Sequence, residues 1–345
     1  MYGHLVSVPI YSYEITNVIN GTLSNPILPI NFIGKFDLFL LNVQTNSGSL
    51  GVVMFFITSG YLASKMMDRY NRKEYLVNRA ISTFPTLWVS IVVVAIFVYL
   101  SQGITFTSAE YLSTAIPFFP NVSSSFIILA IWTLRIELKF YLLAFLFGKN
   151  RKAFVFYGYA LLVALSIIYY ELQTPWLYQQ IYDLSYMSFA FLGVLIEQVE
   201  RERLPHGMWY IVICVFINTF IFKISAWFFQ DGASRALYTY TATQFIPVVL
   251  LILLLKVEQR FPKAYNYVPK IVDLTGKLFL PIYLTHVGCG ITVMYQMSLA
   301  GFNTYLILLG GVVTSFVVAG IIYLLVTKPS LNLMRKVIAS MRSKP

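Results

Sequence analysis

The sequence predicts an all-α integral membrane protein with about nine transmembrane helices. Three observations carry that expectation. Only 11% of the residues are charged and 58% are hydrophobic, whereas a soluble domain is about a quarter charged. The apolar residues gather into runs close to the ~20 residues that a helix needs to cross ~30 Å of hydrocarbon. The basic residues fall in short clusters between these runs, as loop charges do when they set topology.

In chain order, candidate spans cover residues 50–66, 84–100, 126–147 and 153–170, then a weaker one at 184–196 whose apolar core is short. Four more follow at 208–229, 236–255, 278–297 and 304–326. Apolar and polar residues do not alternate within the runs as they would in a membrane barrel, so helices are expected.

The charges test this count. If residues 50–66 end in the cytoplasm, alternate loops should be basic. The first such loop holds Lys65, Arg69, Arg72, Lys73 and Arg79, the second Lys149, Arg151 and Lys152, and the third Arg201 and Arg203. The fourth holds Lys256, Arg260, Lys263, Lys270 and Lys277, and the tail Lys328, Arg335, Lys336, Arg342 and Lys344. Twenty of the 25 Lys and Arg thus share one side, against Lys35 and Arg235 on the other; Arg135, Lys139 and Lys223 fall inside helices. The same placement argues against nucleic acid as the reason for the excess of 25 basic over 14 acidic residues. Cys214 and Cys289 lie in apolar runs, with no disulfide framework or metal spacing.

Three regions follow: an extracytoplasmic segment at 1–48, a transmembrane domain at 49–336 and a cytoplasmic basic tail at 337–345. Nine spans and a cytoplasmic tail place Met1 outside, yet no signal peptide precedes residue 50. A further helix is therefore expected ahead of Met1, lost by truncation or a misplaced start.

An ionisable side chain inside a membrane costs roughly 2.5–3.5 kcal/mol on insertion scales, so each one present needs a reason. The densest cluster is Trp132-Thr133-Leu134-Arg135-Ile136-Glu137-Leu138-Lys139-Phe140-Tyr141. At helical spacing Thr133, Glu137 and Tyr141 share one face, while Arg135 and Lys139 share a nearly opposite one. Glu137 is therefore not neutralised by its neighbours in sequence. It needs a partner from another helix or a wet cavity, as an interhelical ion pair that fixes packing or as a carboxylate that binds a hydroxyl or orients a base. His286 stands more than two turns into its predicted span. Histidine is the usual general base because its pKa is about 6.5, although a hydrogen-bonded packing role accounts for a lone membrane histidine equally well. His4 would stand at the outer end of the helix expected ahead of it. His206, between Pro205 and Gly207, fits a solvated loop.

Five segments carry a resemblance in order along the chain. They are Phe55-Phe56-Ile57-Thr58-Ser59-Gly60-Tyr61-Leu62, Asn78-Arg79-Ala80-Ile81 with Phe84-Pro85, Trp132 to Tyr141, Tyr283-Leu284-Thr285-His286, and Lys328-Pro329. Over residues 48–336 they resemble the acyltransferase 3 family of membrane acyltransferases. The first is similar to its FFxxSGxL motif, the second to its Arg-rich entry to the third helix, and the third to its Trp-Ser/Thr-Leu…Glu…Phe-Tyr signature. The last two resemble its final helices. Ser82 departs from a second Arg common in the family, and Leu138 from a second acidic residue.

The resemblance implies ten core helices with both ends cytoplasmic, which nine spans and one missing helix would complete. The family's first helix carries a basic residue followed eleven residues later by a histidine, which His4 resembles. The implied activity is O-acyl transfer, most often of acetyl, from acyl-CoA to a hydroxyl of a surface polysaccharide, glycolipid or secreted small molecule. Acetyl-CoA would be the co-substrate, with no bound cofactor and no metal. The expected partners are this donor, the acceptor and the lipid bilayer. His4, Glu137 and His286 are the expected catalytic residues, and Arg79, Trp132, Arg135 and Tyr141 the expected substrate-binding ones. A basic inner face around Arg72, Lys73 and Arg79 would attract the CoA phosphates. Ser59-Gly60 is expected to permit close helix packing rather than supply a nucleophile. The expected location is a cell membrane, the bacterial inner membrane first. Two alternatives stay open: a non-catalytic carrier or flippase for a glycan precursor, and an inactive family member lacking its first helix. A carrier often shows inverted repeats, and none is visible here.

Reporter fusions should place Asn31, Ser108 and Gln230 outside the membrane, and Arg72, Arg151, Lys263 and Pro345 inside. A cytoplasmic signal at Asn31 would overturn the nine-span scheme.

Overall fold

The computed structural model describes residues 47–117, 127–128, 130–148, 150–172, 175–202, 206–228, 241–261 and 270–343. These residues form helices and no strand. The first six are α1 (Ser47–Arg69), α2 (Arg72–Gln102), the short α3 (Ser108–Ala115), α4 (Ile131–Phe147), α5 (Arg151–Leu172) and α6 (Pro175–Glu202). Then come α7 (Gly207–Phe228), α8 (Thr241–Arg260) and α9 (Lys270–Thr285). A π-helical stretch, His286–Ile291, joins α9 to α10 (Thr292–Leu299). A second, Tyr323–Thr327, joins α11 (Thr304–Ile322) to α12 (Lys328–Ser343).

Eight of the nine predicted runs fall, in their described parts, on helix, and the run at 126–147 is helical from Ile131 onward. Five stretches among the described residues are long and apolar enough to cross a membrane: Leu50–Arg69, Arg72–Gln102, Arg151–Ile168, Val272–Leu299 and Tyr305–Ser343. The protein is an all-α membrane protein. Local sequence sets the helix starts. Asn71 and Glu74 bond each other's backbone N–H groups, at 2.9 and 3.0 Å, and so open α2. Thr107 and Glu110 form the same box ahead of α3, inside a region that reads as loop from sequence. Asn303 caps α11 by accepting from the Leu306 N–H.

Residues 184–196, the weakest predicted run, belong to the 28-residue α6. Its side chains from Ser185 to Gln198 are all buried. Asp183, Ser185, Ser188, Glu197 and Gln198 are among its buried groups, and their polarity lowers the hydropathy that marks a span. This helix faces protein, so it does not need to be uniformly apolar.

The described chain divides into two compact units, with divisions inside α2 after Leu76 and inside α4 after Arg135. The unit of residues 47–76 and 136–261 centres on α6, which packs against α1, α5 and α7. There α1 and α6 meet backbone to backbone. A Cβ at Gly60 would lie 1.9 Å from the Ala190 carbonyl oxygen, and one at Gly193 would lie 2.0 Å from that of Ile57. Small residues let membrane helices approach in this way where lipid removes the hydrophobic drive to associate. In the other unit, of residues 77–135 and 270–343, α9, its π stretch and α10 pack along α11.

Gly60→Val should destabilise the fold by about 3 kcal/mol or more, because the obstacle is backbone and cannot swing aside. Gly51→Ala, which meets nothing within 4 Å, should change stability by no more than about 1 kcal/mol. Thermal unfolding of the two variants in detergent checks the contrast.

Candidate functional site

Glu137 lies two turns into α4, and its partners are hydroxyls. The Ser59 hydroxyl of α1 donates to Glu137 Oε1, as does the Tyr141 hydroxyl one turn further along α4. The two hydroxyl oxygens stand 2.8 Å apart, so two protons serve three contacts. Ser59 and Tyr141 are buried, each 6% exposed, whereas Glu137 is half-buried. The edge of one ring meets the other between Tyr141 and the buried Tyr75, with centroids 6.4 Å apart. No cation lies within ion-pair distance of Glu137 among the described residues, and Oε2 receives no hydrogen bond from them. The interhelical ion pair considered from sequence is thus absent here among the described residues. It belongs instead to Lys139, whose Nζ reaches Asp183 Oδ2 of α6 at 2.7 Å.

In the other unit, Thr133 meets the Tyr283 hydroxyl of α9. That tyrosine also reaches the Ala130 carbonyl at 3.2 Å, and its ring stacks on Phe279 with centroids 6.0 Å apart. His286, 1% exposed, opens the first π-helical stretch. Its Nδ1 lies 2.9 Å from the carbonyl oxygens of Ile282 and of Tyr283. Carbonyls only accept, so these contacts assign the Nδ1 proton and leave the neutral ring's lone pair on Nε2. π-helical turns occur mostly as single insertions and frequently mark functional sites.

The other expected site residues are placed as follows. Trp132 is half-buried at the start of α4, and Arg135 is buried at 3% exposure. Arg79 is half-buried on α2, and its neighbour Asn78 donates to Met334 Sδ of α12 at 3.0 Å. Arg72 and Lys73 are exposed in the first turn of α2. His4 lies outside the described residues.

Sequence reasoning missed three groups. The close packing expected of Ser59-Gly60 is made by Gly60, while the Ser59 hydroxyl, which the sequence does not mark, turns to Glu137. Asp183 stands at the edge of the weakest apolar run. An acidic residue there was the available signal for a buried partner. Tyr283 lies one turn before His286, and its hydroxyl had no signal beyond the motif that contains it.

These helices define a membrane protein that sets a half-buried carboxylate among hydroxyls of α1 and α4 and buries a histidine at a π-helical break after α9. The family model described as an acyltransferase domain, that of the acyltransferase 3 family, matches residues 3–324. The chain belongs to this family, and its general class is that of membrane acyltransferases. Neither the curated proteins nor the solved structures returned a match.

Ser59→Ala and Tyr141→Phe each remove one hydrogen bond to a carboxylate. Each should cost about 1.5–3 kcal/mol of stability, read as a lower midpoint of thermal unfolding in detergent. An unchanged midpoint in both would mean that these hydroxyls do not hold Glu137.

Proposed function

We propose that the protein transfers an acyl group, acetyl first, from acyl-CoA to a hydroxyl of a surface polysaccharide, glycolipid or secreted small molecule. The observation that supports this best is a half-buried carboxylate that already takes two hydroxyl hydrogen bonds on Oε1. An acceptor rich in hydroxyls presents the same donors, and Oε2 is the oxygen left for one of them. Family membership supplies the acyl-transfer class.

In the proposed reaction the acceptor oxygen attacks the thioester carbonyl as a base takes its proton. The C–S bond breaks, the departing CoA sulfur takes up a proton, and an ester and free CoA result. General-base assistance of this kind contributes about 10²–10⁴-fold. His286, with its lone pair on Nε2, is one candidate base and His4 the other. Glu137 binds and orients the acceptor hydroxyl, with Tyr141 alongside. Arg79, together with Arg72 and Lys73, binds the anionic donor, because a guanidinium makes paired contacts with phosphate that other side chains do not replace. Trp132 and Arg135 complete the proposed substrate contacts. This scheme sets the basic loops and the C-terminus in the cytosol, where the donor is found, and the protein in the cell membrane.

Mass spectrometry of surface glycans with and without the gene tests the acceptor class. In an assay with acetyl-CoA, Glu137→Gln should lower transfer by about 100-fold or more while membrane levels stay near normal. That variant keeps volume and part of the hydrogen bonding, so a purely structural carboxylate would survive it. Arg79→Ala should raise the apparent KM for acetyl-CoA by about tenfold and spare the maximal rate. Loss of activity in His4→Ala with activity kept in His286→Ala assigns the base to His4, and the reverse pattern assigns it to His286. Full activity in both removes the histidine mechanism.

A further inference from the structure

An apolar groove of the α6-centred unit takes no part in the proposed transfer. It lies along α5, α6 and α7 and encloses about 860 Å³, within the range of ~300–1,000 Å³ typical of small-ligand sites. Its walls are apolar, with Phe156, Val163, Ile213 and Ile217 among them, and the small Ala160 and Ala164 give it depth. From Lys152 to Ile167, both lining residues, α5 rises about 22 Å at 1.5 Å per residue.

Polarity along the groove is graded. Lys152 near the start of α5, Gln198 near the end of α6 and Tyr210 near the start of α7 all line it. These three helices follow one another through short connections, so those positions lie at the same end. Gln198 is 1% exposed, and its Nε2 has no hydrogen-bond partner among the described residues. An amide N–H so placed is costly unless an acceptor meets it, and hydrocarbon offers none. At the mouth, Lys152 Nζ lies 2.8 Å from Glu202 Oε2, with the two side chains 62% and 31% exposed. Arg201 also bonds Glu202, at 3.0 Å, but is shared with Asp68 and Glu197.

We propose that this groove holds one glycerophospholipid with a zwitterionic aminoethyl phosphate headgroup, phosphatidylethanolamine. The order of groups matches on both sides. The headgroup phosphate meets Lys152 and its ammonium meets Glu202, an adjacent pair of opposite charges. One ester carbonyl, just below the headgroup, accepts from Gln198 Nε2. One of its two acyl chains then runs along Ala160 and Ala164 toward Ile167. A chain lying there covers apolar surface that the helices leave open, so the lipid is a bound component and not only surrounding solvent.

Native mass spectrometry of the purified chain, loaded separately with phosphatidylethanolamine, phosphatidylglycerol and phosphatidylcholine, tests this. One phosphatidylethanolamine should persist under activation that strips the other two. Gln198→Leu, which keeps the volume but removes the donor, should weaken retention by about tenfold, the effect of one net hydrogen bond. Ala164→Trp, which fills the groove from an exposed helix position, should reduce it at least as far, with helical circular dichroism unchanged. Leu324→Trp, on an exposed face of the other unit, should leave it as in the parent. Equal retention in the parent, Gln198→Leu and Ala164→Trp would overturn the site. Equal retention of phosphatidylglycerol would overturn the headgroup assignment.

Discussion

The backbone contact between α1 and α6 at Gly60 and Gly193 is the constraint on which the α6-centred unit depends. With no side chains between them at that level, the helices stand close enough for short hydroxyls to reach across. Ser64 of α1 donates to Glu197 of α6 at 2.6 Å, and Tyr61 donates to Glu200. On the neighbouring face, Ser59 donates to Glu137 of α4. Inserting a side chain at either glycine would part the helices and strand these carboxylates, which is costlier in a low-dielectric interior than in water. The glycines therefore support the polar network as much as the packing.

Within that network the three carboxylates do different work. Glu197 lies between two guanidinium groups, with Arg151 at 3.7 Å and Arg201 at 3.5 Å. Both arginines also reach Asp68. Two acids and two arginines thus close a ring that ties α1, α5 and α6 together at one end. Glu200 is held by Tyr61 and by Gln259 of α8, at 3.2 Å from the latter. Glu137 alone of the three is held only by hydroxyls within the described residues. Hydroxyl partners leave its charge to interact with an incoming group, whereas a guanidinium pair would consume it. The proposed acceptor-binding role of Glu137 rests on this difference in partners and exposure, since Glu197 is 2% exposed and Glu137 half-buried.

Much of the fold is legible in the sequence because hydrophobic run length and loop charge respond to the bilayer directly. Glu137 is legible for the same reason: a charge in an apolar run demands an explanation. Its partners are not, since Ser59 lies 78 positions away and nothing local pairs them. The length of α6 is hidden because Asp183, Glu197 and Gln198 lower its hydropathy while facing protein. The helix α3 is hidden for the opposite reason. Its capping box at Thr107 and Glu110 is present in the sequence, but it sits in a polar stretch where the apolar pattern gives no prompt to look for one.

The irregular backbone of the second unit falls on the motifs that carry the family resemblance. One π stretch begins at His286, directly after Tyr283-Leu284-Thr285. Gly288 within it admits Val94, whose Cγ1 stands 2.3 Å from where a Cβ would be. The other ends at Thr327, whose hydroxyl lies 2.9 Å from that of Thr86 on α2, just ahead of Lys328-Pro329. Proline has no N–H to continue an α-helical ladder, so a wider turn ahead of Pro329 costs little extra. A π turn also shifts the register of every later side chain relative to the preceding helix. At His286 the shift falls on a titratable ring whose Nδ1 is held by carbonyls of the preceding turn, so ring orientation and backbone break constrain each other. A histidine serving packing alone would make the same Nδ1 contacts, so the choice between His286 and His4 as the proposed base rests on the activity of the two variants.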